Sequence, residues 1–263
     1  MNLDGCRALI TGASAGIGYE FARQLAPRAA SLVLIARRKD RLEELRDELN
    51  KQNPSLKIEV RKVDLSDQVQ VDAFCEWIIR EKVAIDLLIN NAGLGDTGRF
   101  ATGDATRLKE IMNVNMIALT LLTRCVLPQM IARKGGAILN VSSSAGFLPL
   151  PRVAVYAASK AYVTSFSEAL RAELHGTGVN VTALCPGPVH TEFSDVAQRA
   201  NARRAKSPEI AHVSVERVVR DSLAAVERDR PIVIPGFLMK LGMILVRLTP
   251  MPLLRLVAQI SGK

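Results

Sequence analysis

The stretch Thr11-Gly-Ala-Ser-Ala-Gly-Ile-Gly18 follows a short apolar run at 7–11 and opens the first predicted helix, at 17–27. Glycines at this spacing permit a tight turn and let a helix pack closely on the preceding strand. The start of the helix offers unpaired N–H groups and a positive dipole end to a pyrophosphate. A strand, glycine turn and helix in this order therefore predict a dinucleotide site. We expect five residues of the turn to form it: Gly12, Ser14, Gly16, Ile17 and Gly18.

The same turn also fits a second kind of site, because Gly12-Ala-Ser14-Ala-Gly16 has the spacing of a GxSxG nucleophile elbow. Three histidines follow it along the chain: His175, His190 and His212. A hydrolase elbow normally comes after several strands and after the loop that supplies the oxyanion hole, whereas only eleven residues precede Gly12. The dinucleotide interpretation is therefore favoured over the hydrolase.

Short apolar runs alternate with longer helical patterns along the chain, and most of the runs are nearly continuous in Leu, Ile and Val. Such runs are typical of a parallel sheet that helices cover on both faces. The fold class predicted is α/β, a doubly wound, Rossmann-like parallel sheet of about seven strands in a single domain. The predicted strands are 7–11, 31–36, 57–63, 86–90, 136–142, 180–185 and 231–234. The predicted helices are 17–27, 39–51, 67–81, 105–133, 155–175 and 214–228.

Composition describes a soluble globular protein, with 48% hydrophobic and 23% charged residues in a chain of 263. We expect a catalytic domain over 1–235 and an apolar, amphipathic extension over 236–263. The four cysteines are far apart and form no CxxC pair, so reduced core thiols are expected. The N-terminus shows no apolar targeting segment, which favours a cytoplasmic location. The scattered histidines offer no usual ligand spacing, and no metal is expected.

The second predicted strand ends in Ala36-Arg37-Arg38. An acidic residue at this point binds the ribose 2′-hydroxyl of a dinucleotide and repels a 2′-phosphate. Here Ala36 supplies no acid, while Arg37 and Arg38 can grip a phosphate. The pattern favours NADP(H) over NAD(H), and the alternative is two solvated arginines at a helix start.

A tyrosine and a lysine stand four residues apart in Tyr156-Ala-Ala-Ser-Lys160, and Ser143 precedes them by thirteen residues. Positions i and i+4 share one face of a helix, so the phenol and the ammonium are expected to point into the same space. A nearby cation favours the phenolate and lowers the pKa of a tyrosine, which brings it into range for general acid–base catalysis. A solvated helical face with a chance lysine is the alternative.

Together these motifs resemble the short-chain dehydrogenase/reductase family in its ordinary-length form, over about residues 5 to 235. Thr11–Gly18 is similar to the family's TGxxxGxG, Asn90-Asn-Ala-Gly93 to its NNAG, and Tyr156 with Lys160 to its YxxxK. The resemblance implies a catalytic set of Asn115, Ser143, Tyr156 and Lys160. It also implies cofactor contacts at Asp64, Leu65, Asn91, Ala92, Gly93, Tyr156, Lys160, Pro186, Gly187, Val189 and Thr191.

The resemblance implies interconversion of a ketone and a secondary alcohol by hydride transfer. Tyr156 is expected to exchange the proton, Ser143 to position the substrate oxygen and Asn115 to hold a relay water. Lys160 is expected to hold the nicotinamide ribose and to lower the pKa of Tyr156. The alternative from another class is a nucleotide-binding regulator or adaptor that kept the fold and lost turnover, although such a protein has no need of these side chains.

The C-terminal quarter is basic, with twelve Lys or Arg against five acids from position 199 onward. No nucleic-acid-binding motif accompanies this charge, so no nucleic-acid partner is expected. The segment 231–263 is apolar and is interrupted by Lys240, Arg247 and Arg255, with Pro250 and Pro252 between the last two. It is interpreted as a lid or subunit contact, or alternatively as a segment that lies on an anionic membrane surface. No uncharged run in it approaches the length of a membrane span.

The predicted substrate is a small apolar carbonyl compound or alcohol, bound beside 94–103, 188–214 and the C-terminus. The C-terminus resembles the branch with steroid and long-chain 3-oxoacyl reductases, and a lid of Phe237, Leu238, Met239 and Met243 suits a lipid-like ketone. By analogy with the family, a homodimer or homotetramer is expected.

Overall fold

The structure, a computed structural model, describes residues 1–198 and 212–261. The strands in these residues are β1 (Arg7–Thr11), β2 (Ser31–Ala36), β3 (Lys57–Lys62), β4 (Leu87–Asn90), β5 (Gly136–Val141), β6 (Val179–Leu184) and β7 (Ile232–Val233). They form one parallel sheet in the order β3-β2-β1-β4-β5-β6-β7. The chain reverses its direction of travel across the sheet between β1 and β4, and the crevice at such a point is where doubly wound sheets bind ligands.

Helices cover both faces of this sheet. Their bounds are α1 (Gly16–Leu25), α2 (Lys39–Gln52), α3 (Gln68–Arg80), α4 (Ala105–Met112), α5 (Leu119–Ala132), α6 (Ala154–Glu173), α7 (Glu192–Ala197), α8 (Val215–Glu227), α9 (Phe237–Leu248) and α10 (Met251–Ser261). Buried residues of α1, α2 and α8 pack on one face, and those of α3, α5 and α6 pack on the other. The predicted doubly wound α/β fold is confirmed.

The core forms in two layers because successive side chains of each strand point to opposite faces. In β1, Ala8 and Ile10 join the layer that contains Phe21 of α1, whereas Leu9 joins the layer that contains Leu122 of α5. All five of these side chains are at most 1% exposed. The two layers hold the strands in register, so their carboxyl ends meet along one edge.

The predicted strands match the observed ones to within one residue at each end, and the last strand is the shortest. β7 comprises only Ile232 and Val233 instead of the predicted 231–234. Pro231 has no N–H to give to the ladder, although its carbonyl accepts from the Ala183 amide at 2.8 Å. A proline on each side of the pair therefore keeps this edge strand short, because Pro235 follows directly after 234.

The single helix predicted over 105–133 is wrong in detail. A π-helical turn, Asn113–Ala118, separates α4 from α5. Such bulges insert an extra residue into a helix and are frequent at functional sites. This one carries Asn115, whose side chain is turned inward and is 1% exposed.

The whole helical stretch Ala105–Ala132 is long and apolar enough to cross a membrane by length and composition. Of its most apolar window, 44% is buried inside the fold. Val114, Leu122, Val126 and Met130 lie in the core layer beneath the sheet. The apolar residues on the inner face of this helical stretch are therefore explained by packing inside the domain.

Candidate active site

A cleft of about 570 Å³ opens at the carboxyl edge of the sheet. Nearly all residues predicted for the cofactor line it: Gly12, Ser14, Gly16, Ile17, Arg37, Arg38, Asp64, Leu65, Asn91, Ala92, Gly93, Pro186, Gly187, Val189 and Thr191. Ser143, Tyr156 and Lys160 line the same cleft. Two predicted residues lie behind its wall, Gly18 in the helix start and Asn115 beneath Gly93.

The glycine turn leaves no room for side chains at two of its positions. Gly12 has φ +66°, and a Cβ there would lie 2.9 Å from the Cα of Ala92. A Cβ on Gly18 would lie 2.4 Å from the carbonyl oxygen of Gly12. The helix that follows begins after Ala15, which makes no side-chain cap bond. Its first N–H groups therefore have no side-chain acceptor and face the cleft, where an anion can accept from them.

Asn91 fastens the end of β4 to the end of β1. Its side-chain amide donates to the carbonyl of Thr11 at 2.8 Å, and its backbone N–H donates to the Thr11 hydroxyl at 2.9 Å. The Ala92 N–H donates to the same hydroxyl at 2.9 Å. Thr11 therefore holds the two strand ends together, a role that its place before the glycine turn did not reveal. Asn90 is structural, since its amide donates to Thr123 and Asn140 inside the core.

Asn115 holds the loop that follows β4. Its carbonyl oxygen accepts from the Leu94 N–H at 2.8 Å, and its amide donates to the Leu94 carbonyl at 2.9 Å. The same amide donates to the hydroxyl of Ser159 at 2.9 Å. The π turn thus presents Asn115 to the backbone beside Gly93 and to the helix that carries Tyr156 and Lys160.

The serine run 142–144 is resolved by where each hydroxyl points. Ser142 donates to the Lys160 carbonyl at 2.7 Å and lies 2.7 Å from the Thr164 hydroxyl, inside the core. Ser143 caps the short helical turn that follows, where its hydroxyl accepts from the Ala145 N–H at 3.1 Å, and it lines the cleft together with Tyr156. The geometry therefore favours Ser143, as the thirteen-residue spacing did.

Tyr156 and Lys160 are not turned apart. The ammonium of Lys160 lies 5.7 Å from the centre of the Tyr156 ring. Lys160 is only 4% exposed, and its ammonium donates to the Val141 carbonyl at 2.8 Å. Both side chains open onto the cleft beside Gly93, whose Cβ position would be 3.4 Å from the ammonium.

The electrostatics of this pair differ from the expected lowering of the tyrosine pKa by the lysine. Burial raises the pKa of Tyr156, and the hydrogen bond with Ser143 opposes that rise only in part. Burial also lowers the pKa of Lys160 to about 8. Desolvation dominates because Lys160 is buried and Tyr156 is partly buried, and it disfavours the charged form of each group. In the protein alone, the phenol is therefore a proton donor and the ammonium is held close to its titration point.

The predicted phosphate grip contains an arginine that the sequence did not indicate. Arg38 reaches the carboxylate of Glu192 at 3.0 Å, and Arg41, one turn into α2, reaches it at 2.7 Å. Arg38 also donates to the Ser14 hydroxyl at 3.4 Å, while Arg37 lines the cleft. The hydrogen bonds from Arg41 and then from Arg38 lower the pKa of Glu192. The Glu192 carboxylate lies between the guanidinium groups of Arg38 and Arg41. Two guanidinium groups that hold a carboxylate in this way can also hold a phosphate.

Ser14 is thus engaged with Arg38, and the predicted histidine partners lie elsewhere. His190 stacks on His212 with ring centres 4.1 Å apart. The hydroxyl of Ser14 accepts from Arg38. An arginine beside Ser14 is suited to binding an anion, which disfavours the interpretation of Ser14 as a hydrolase nucleophile further.

At the end of the cleft next to β3, Asp64 and Leu65 lie in its wall. The Asp64 carboxylate accepts from the Ser66 N–H at 2.9 Å and from its hydroxyl at 2.7 Å. Across the cleft, Thr191 packs its methyl group against Gly16, where a Cβ would be 3.2 Å away. Local contacts therefore fix Asp64 in one wall of the cleft and Thr191 in the other.

The cover of the cleft is α7 rather than the predicted C-terminal lid. Phe193 lies with its ring centre 5.5 Å from that of Tyr156, and Val196 also lines the cleft. The Thr97 N–H donates to the Ala197 carbonyl at 2.9 Å, which ties this cover to the loop after β4. Residues 199–211 of the predicted substrate segment lie outside the described residues.

The four residues predicted to line a lid do not line this cleft. Phe237 and Leu238 are 76% and 57% exposed. Met239 packs against Gly187, where a Cβ would lie 2.5 Å from its Cε, and Met243 is the buried residue of α9. The expected lid contacts are therefore not made in the described structure, where α9 places Arg247 5.7 Å from the centre of the Phe147 ring.

Comparison with known proteins agrees with this geometry. The family model described as short chain dehydrogenase matches residues 7–202. The NADP-dependent 3-hydroxy acid dehydrogenase YdfG of Escherichia coli K12 is 37% identical over 200 residues, covering 75% of this chain and 79% of its own. A short chain dehydrogenase of Pseudocercospora fijiensis is 39% identical over 193 residues, which cover 73% of this chain and 62% of that longer relative.

Solved structures give the same result. A short-chain dehydrogenase from Sphingobium yanoikuyae in complex with NADPH has a TM-score of 0.79 and 33% identity, covering 88% of each chain. The bulky-bulky ketone specific alcohol dehydrogenase of Comamonas testosteroni has a TM-score of 0.77 and 33% identity, covering 88% of this chain and 86% of its own. A family member from Burkholderia phymatum in complex with NAD has a TM-score of 0.81 and 25% identity, covering 93% and 94%.

The fold and the site define an oxidoreductase with a nicotinamide dinucleotide cofactor. The chain belongs to the short-chain dehydrogenase family.

Proposed function

We propose that the protein is an NADP(H)-dependent oxidoreductase that interconverts an apolar ketone and its secondary alcohol, with Tyr156 as general acid and base. One observation carries the proposal. Ser143, Tyr156 and Lys160 face a single cleft whose other wall is the glycine turn that starts α1. A proton donor beside a dinucleotide cradle is the arrangement that hydride transfer to a carbonyl requires.

The residues present fit the cofactor. The backbone of the glycine turn and the uncapped start of α1 would hold the pyrophosphate. Arg38 and Arg41 would hold a 2′-phosphate where they now hold the carboxylate of Glu192. The preference for NADP(H) is supported by those cations and by the names of the Sphingobium and Escherichia relatives, while the Burkholderia relative is named with NAD. Asp64, Leu65, Pro186, Gly187 and Val189 would line the rest of the cofactor.

When bound, the reduced cofactor supplies the hydride. Tyr156 donates its phenolic proton to the developing alkoxide, since burial keeps the phenol protonated. Ser143 orients the phenol and the substrate oxygen through its hydroxyl. Lys160 holds positive charge beside the tyrosine and is fixed by the Val141 carbonyl. Asn115 fixes the loop beside Lys160 and is the residue proposed to hold the relay water.

The substrate proposed is an apolar ketone or alcohol. Leu148, Leu150, Phe193 and Val196 line the cleft next to Tyr156, with Leu94 on the adjoining loop. Burial of aliphatic groups against such a wall is favourable at about 25 cal/mol for each Å². The ketone-specific alcohol dehydrogenase of Comamonas testosteroni, a structural neighbour, is in keeping with this choice. Homo-oligomerisation and a cytoplasmic location stay predictions.

The test of this function is NADPH oxidation measured by absorbance against a panel of cyclic, long-chain acyl and steroid ketones. We expect turnover with members of the apolar groups and none with small charged oxo acids. NADPH binding without turnover on any ketone or, in reverse, any alcohol would support the regulator or adaptor instead. Absence of dinucleotide binding would contradict both.

The Glu192→Gln variant is expected to bind NADPH about five- to tenfold more tightly, because a charged hydrogen-bonding competitor leaves the Arg38–Arg41 pair. NADH has no 2′-phosphate, so its affinity is expected to change less than about twofold. Isothermal titration with each dinucleotide measures both affinities.

Glu43→Gln is the matched control for that variant. It removes the same charge from the same region, where Glu43 pairs with Lys39 at 3.2 Å and not with the two arginines. Its effect on NADPH is expected to be less than about twofold, as for an exposed charge. Equal changes for NADPH and NADH, or a stronger effect from Glu43→Gln, would contradict the assigned grip.

The pH dependence follows from Lys160. Its folded-state pKa is lowered by burial to about 8, so its positive charge is complete below that pH and is lost above it. The raised pKa of Tyr156 keeps the phenol protonated over the same range. We therefore expect kcat/KM for NADPH, which reports the free enzyme, to fall as the pH rises through about 8. A flat or rising profile across this range would contradict the role of the ammonium.

A further inference from the structure

Helices α9 and α10, here called the C-terminal helix pair, carry a large apolar surface that the domain does not cover. Eleven bulky apolar side chains on the pair are between 45% and 76% exposed: Phe237, Leu238, Leu241, Ile244, Leu245, Leu248, Met251, Leu253, Leu256, Val257 and Ile260. Isolated exposed apolar residues are common on soluble proteins, but a contiguous patch of this kind marks an interaction site.

The arrangement on α9 is that of an amphipathic helix. Met243 is buried against the domain, and Leu241, Ile244, Leu245 and Leu248 recur on the outward side at spacings of three and four residues. Lys240 and Arg247 lie seven residues apart, and helical periodicity places both along one border of this outward face. The guanidinium of Arg247 lies 5.7 Å from the centre of the Phe147 ring. The long aliphatic stem of Lys240 can lie along the apolar surface while its charge reaches outward.

The second helix repeats the pattern. Leu253, Leu256, Val257 and Ile260 occupy positions i, i+3, i+4 and i+7, and each is more than half exposed. Arg255 lies away from them on the helix wheel, at the polar side. Two consecutive helices thus present outward apolar faces, each accompanied by basic residues.

The charged residues in this part of the sequence have one sign. From position 230 to 263 the sequence contains five basic residues, Arg230, Lys240, Arg247, Arg255 and Lys263, and no acid. An apolar surface on a segment that carries cations and no acid is complementary to a surface that is apolar inside and anionic outside. We propose that the C-terminal helix pair docks in the plane of an anionic phospholipid bilayer and places the active-site domain on its surface.

The geometry favours lying on the bilayer over crossing it. The pair passes the length and hydropathy test for a span only when both helices are joined, and they bend by 116° at the break between them. The helices have 12 and 11 residues, or about 18 Å each, against a hydrocarbon core of about 30 Å. Each is therefore too short to cross alone, and the bend prevents them from acting as one rod.

A second copy of the chain is a poorer occupant. In a two-fold interface the same patch meets itself, so two segments that both carry positive charge would come together with no acid from 230 onward to neutralise it. A lid is also disfavoured, because the cleft is covered by α7 and its described walls do not include the helix pair.

The experiment is flotation of the full-length protein with vesicles of phosphatidylcholine, with and without phosphatidylglycerol. Wild type is expected to float with the anionic vesicles and to bind at least about tenfold more weakly to neutral vesicles or in high salt. The variant Leu253→Asp/Leu256→Asp/Ile260→Asp is expected to lose flotation. Lys240→Gln/Arg247→Gln/Arg255→Gln is expected to lose the preference for anionic vesicles.

A matched control places aspartates on another exposed apolar surface. Val69→Asp/Ile79→Asp changes residues of α3 that are 75% and 65% exposed, and it is expected to float like wild type. NADPH oxidation with a water-soluble ketone, measured without vesicles, is expected to be the same in all of these variants. That readout separates failure of the docking proposal from failure of the proposed function.

Three results would overturn the proposal. One is absence of flotation by wild type with anionic vesicles. Another is a helix-pair variant that halves the sedimenting mass of the protein, which would assign the surface to a second copy. The third is a helix-pair variant that raises KM for the soluble ketone, which would assign the pair to a lid.

Discussion

The Tyr156→Phe variant is expected to lose ketone reduction, with kcat lower by about 10³- to 10⁴-fold, because it removes the only group placed to donate a proton in the proposed mechanism. The ring is retained, so its contact with Phe193 is expected to persist. NADPH affinity is expected to stay within about twofold, since the removed hydroxyl is not assigned to the phosphate or adenine contacts. Stopped-flow turnover and titration of NADPH measure the two quantities on the same preparation.

Tyr162→Phe is the control for that variant. Tyr162 lies on the same helix, and its hydroxyl is 2.8 Å from that of Thr120, outside the cleft. It is 38% exposed, so the loss of this hydroxyl is expected to leave kcat unchanged. If Tyr156→Phe turned over like wild type, or if both variants lost activity equally, the assignment of the acid would be wrong.

The second large effect is expected from Lys160→Met, which keeps an unbranched side chain and removes the ammonium. We expect kcat to fall by about 10²- to 10³-fold, because positive charge beside the phenol is lost in the transition state. We also expect NADPH binding to weaken by about tenfold, since a charge-assisted contact to the ribose is removed. The fall in kcat/KM that we expect for wild type above about pH 8 is expected to be absent from the residual activity of this variant.

Stability separates this role from a structural one. Burial lowers the pKa of Lys160, so charging this side chain at neutral pH costs folding free energy. An apolar replacement removes that cost, although the Val141 carbonyl loses a donor. We expect the melting temperature to stay within a few degrees, roughly the effect of 1 kcal/mol. A large drop in melting temperature together with the loss of rate would assign the lysine to the fold instead.

Much of the fold was predictable because its decisive residues are close together in sequence. A buried parallel strand must be apolar along its length, as Leu32 to Ile35 are, and the turn after β1 must be glycine because a Cβ meets backbone there. Tyr156 and Lys160 share a helix, so periodicity alone places them on one side.

The features that were missed depend on long-range contacts. Glu192 pairs with Arg38, which is 154 residues away in the sequence. Phe193 contacts Tyr156 from α7, a helix of six residues that is too short for a periodic pattern to predict. The π turn at Asn115 arises because the amide bonds to the Leu94 backbone, which periodicity does not encode. The raised pKa of Tyr156 reflects burial, whereas the sequence showed only a cation nearby.

The C-terminal segment was predictable in composition but not in placement. Apolar residues interrupted by Lys240 and Arg247 indicate an amphipathic helix, and Pro250 indicates the break between α9 and α10. Which face meets the domain depends on the fit of Met239 against Gly187. Only the folded structure shows that Phe237 and Leu238 point away from the cleft.

The central claim is that Tyr156 and a bound dinucleotide act together on a carbonyl, and isotope transfer tests it most directly. NADPH carrying deuterium on the reactive carbon of its nicotinamide is incubated with an apolar ketone, and the alcohol is analysed by mass spectrometry. We predict deuterium on the carbinol carbon of the product with wild type and with Tyr162→Phe, and no labelled product with Tyr156→Phe. Tight binding of NADPH with no label transferred to any ketone of the panel would contradict the account.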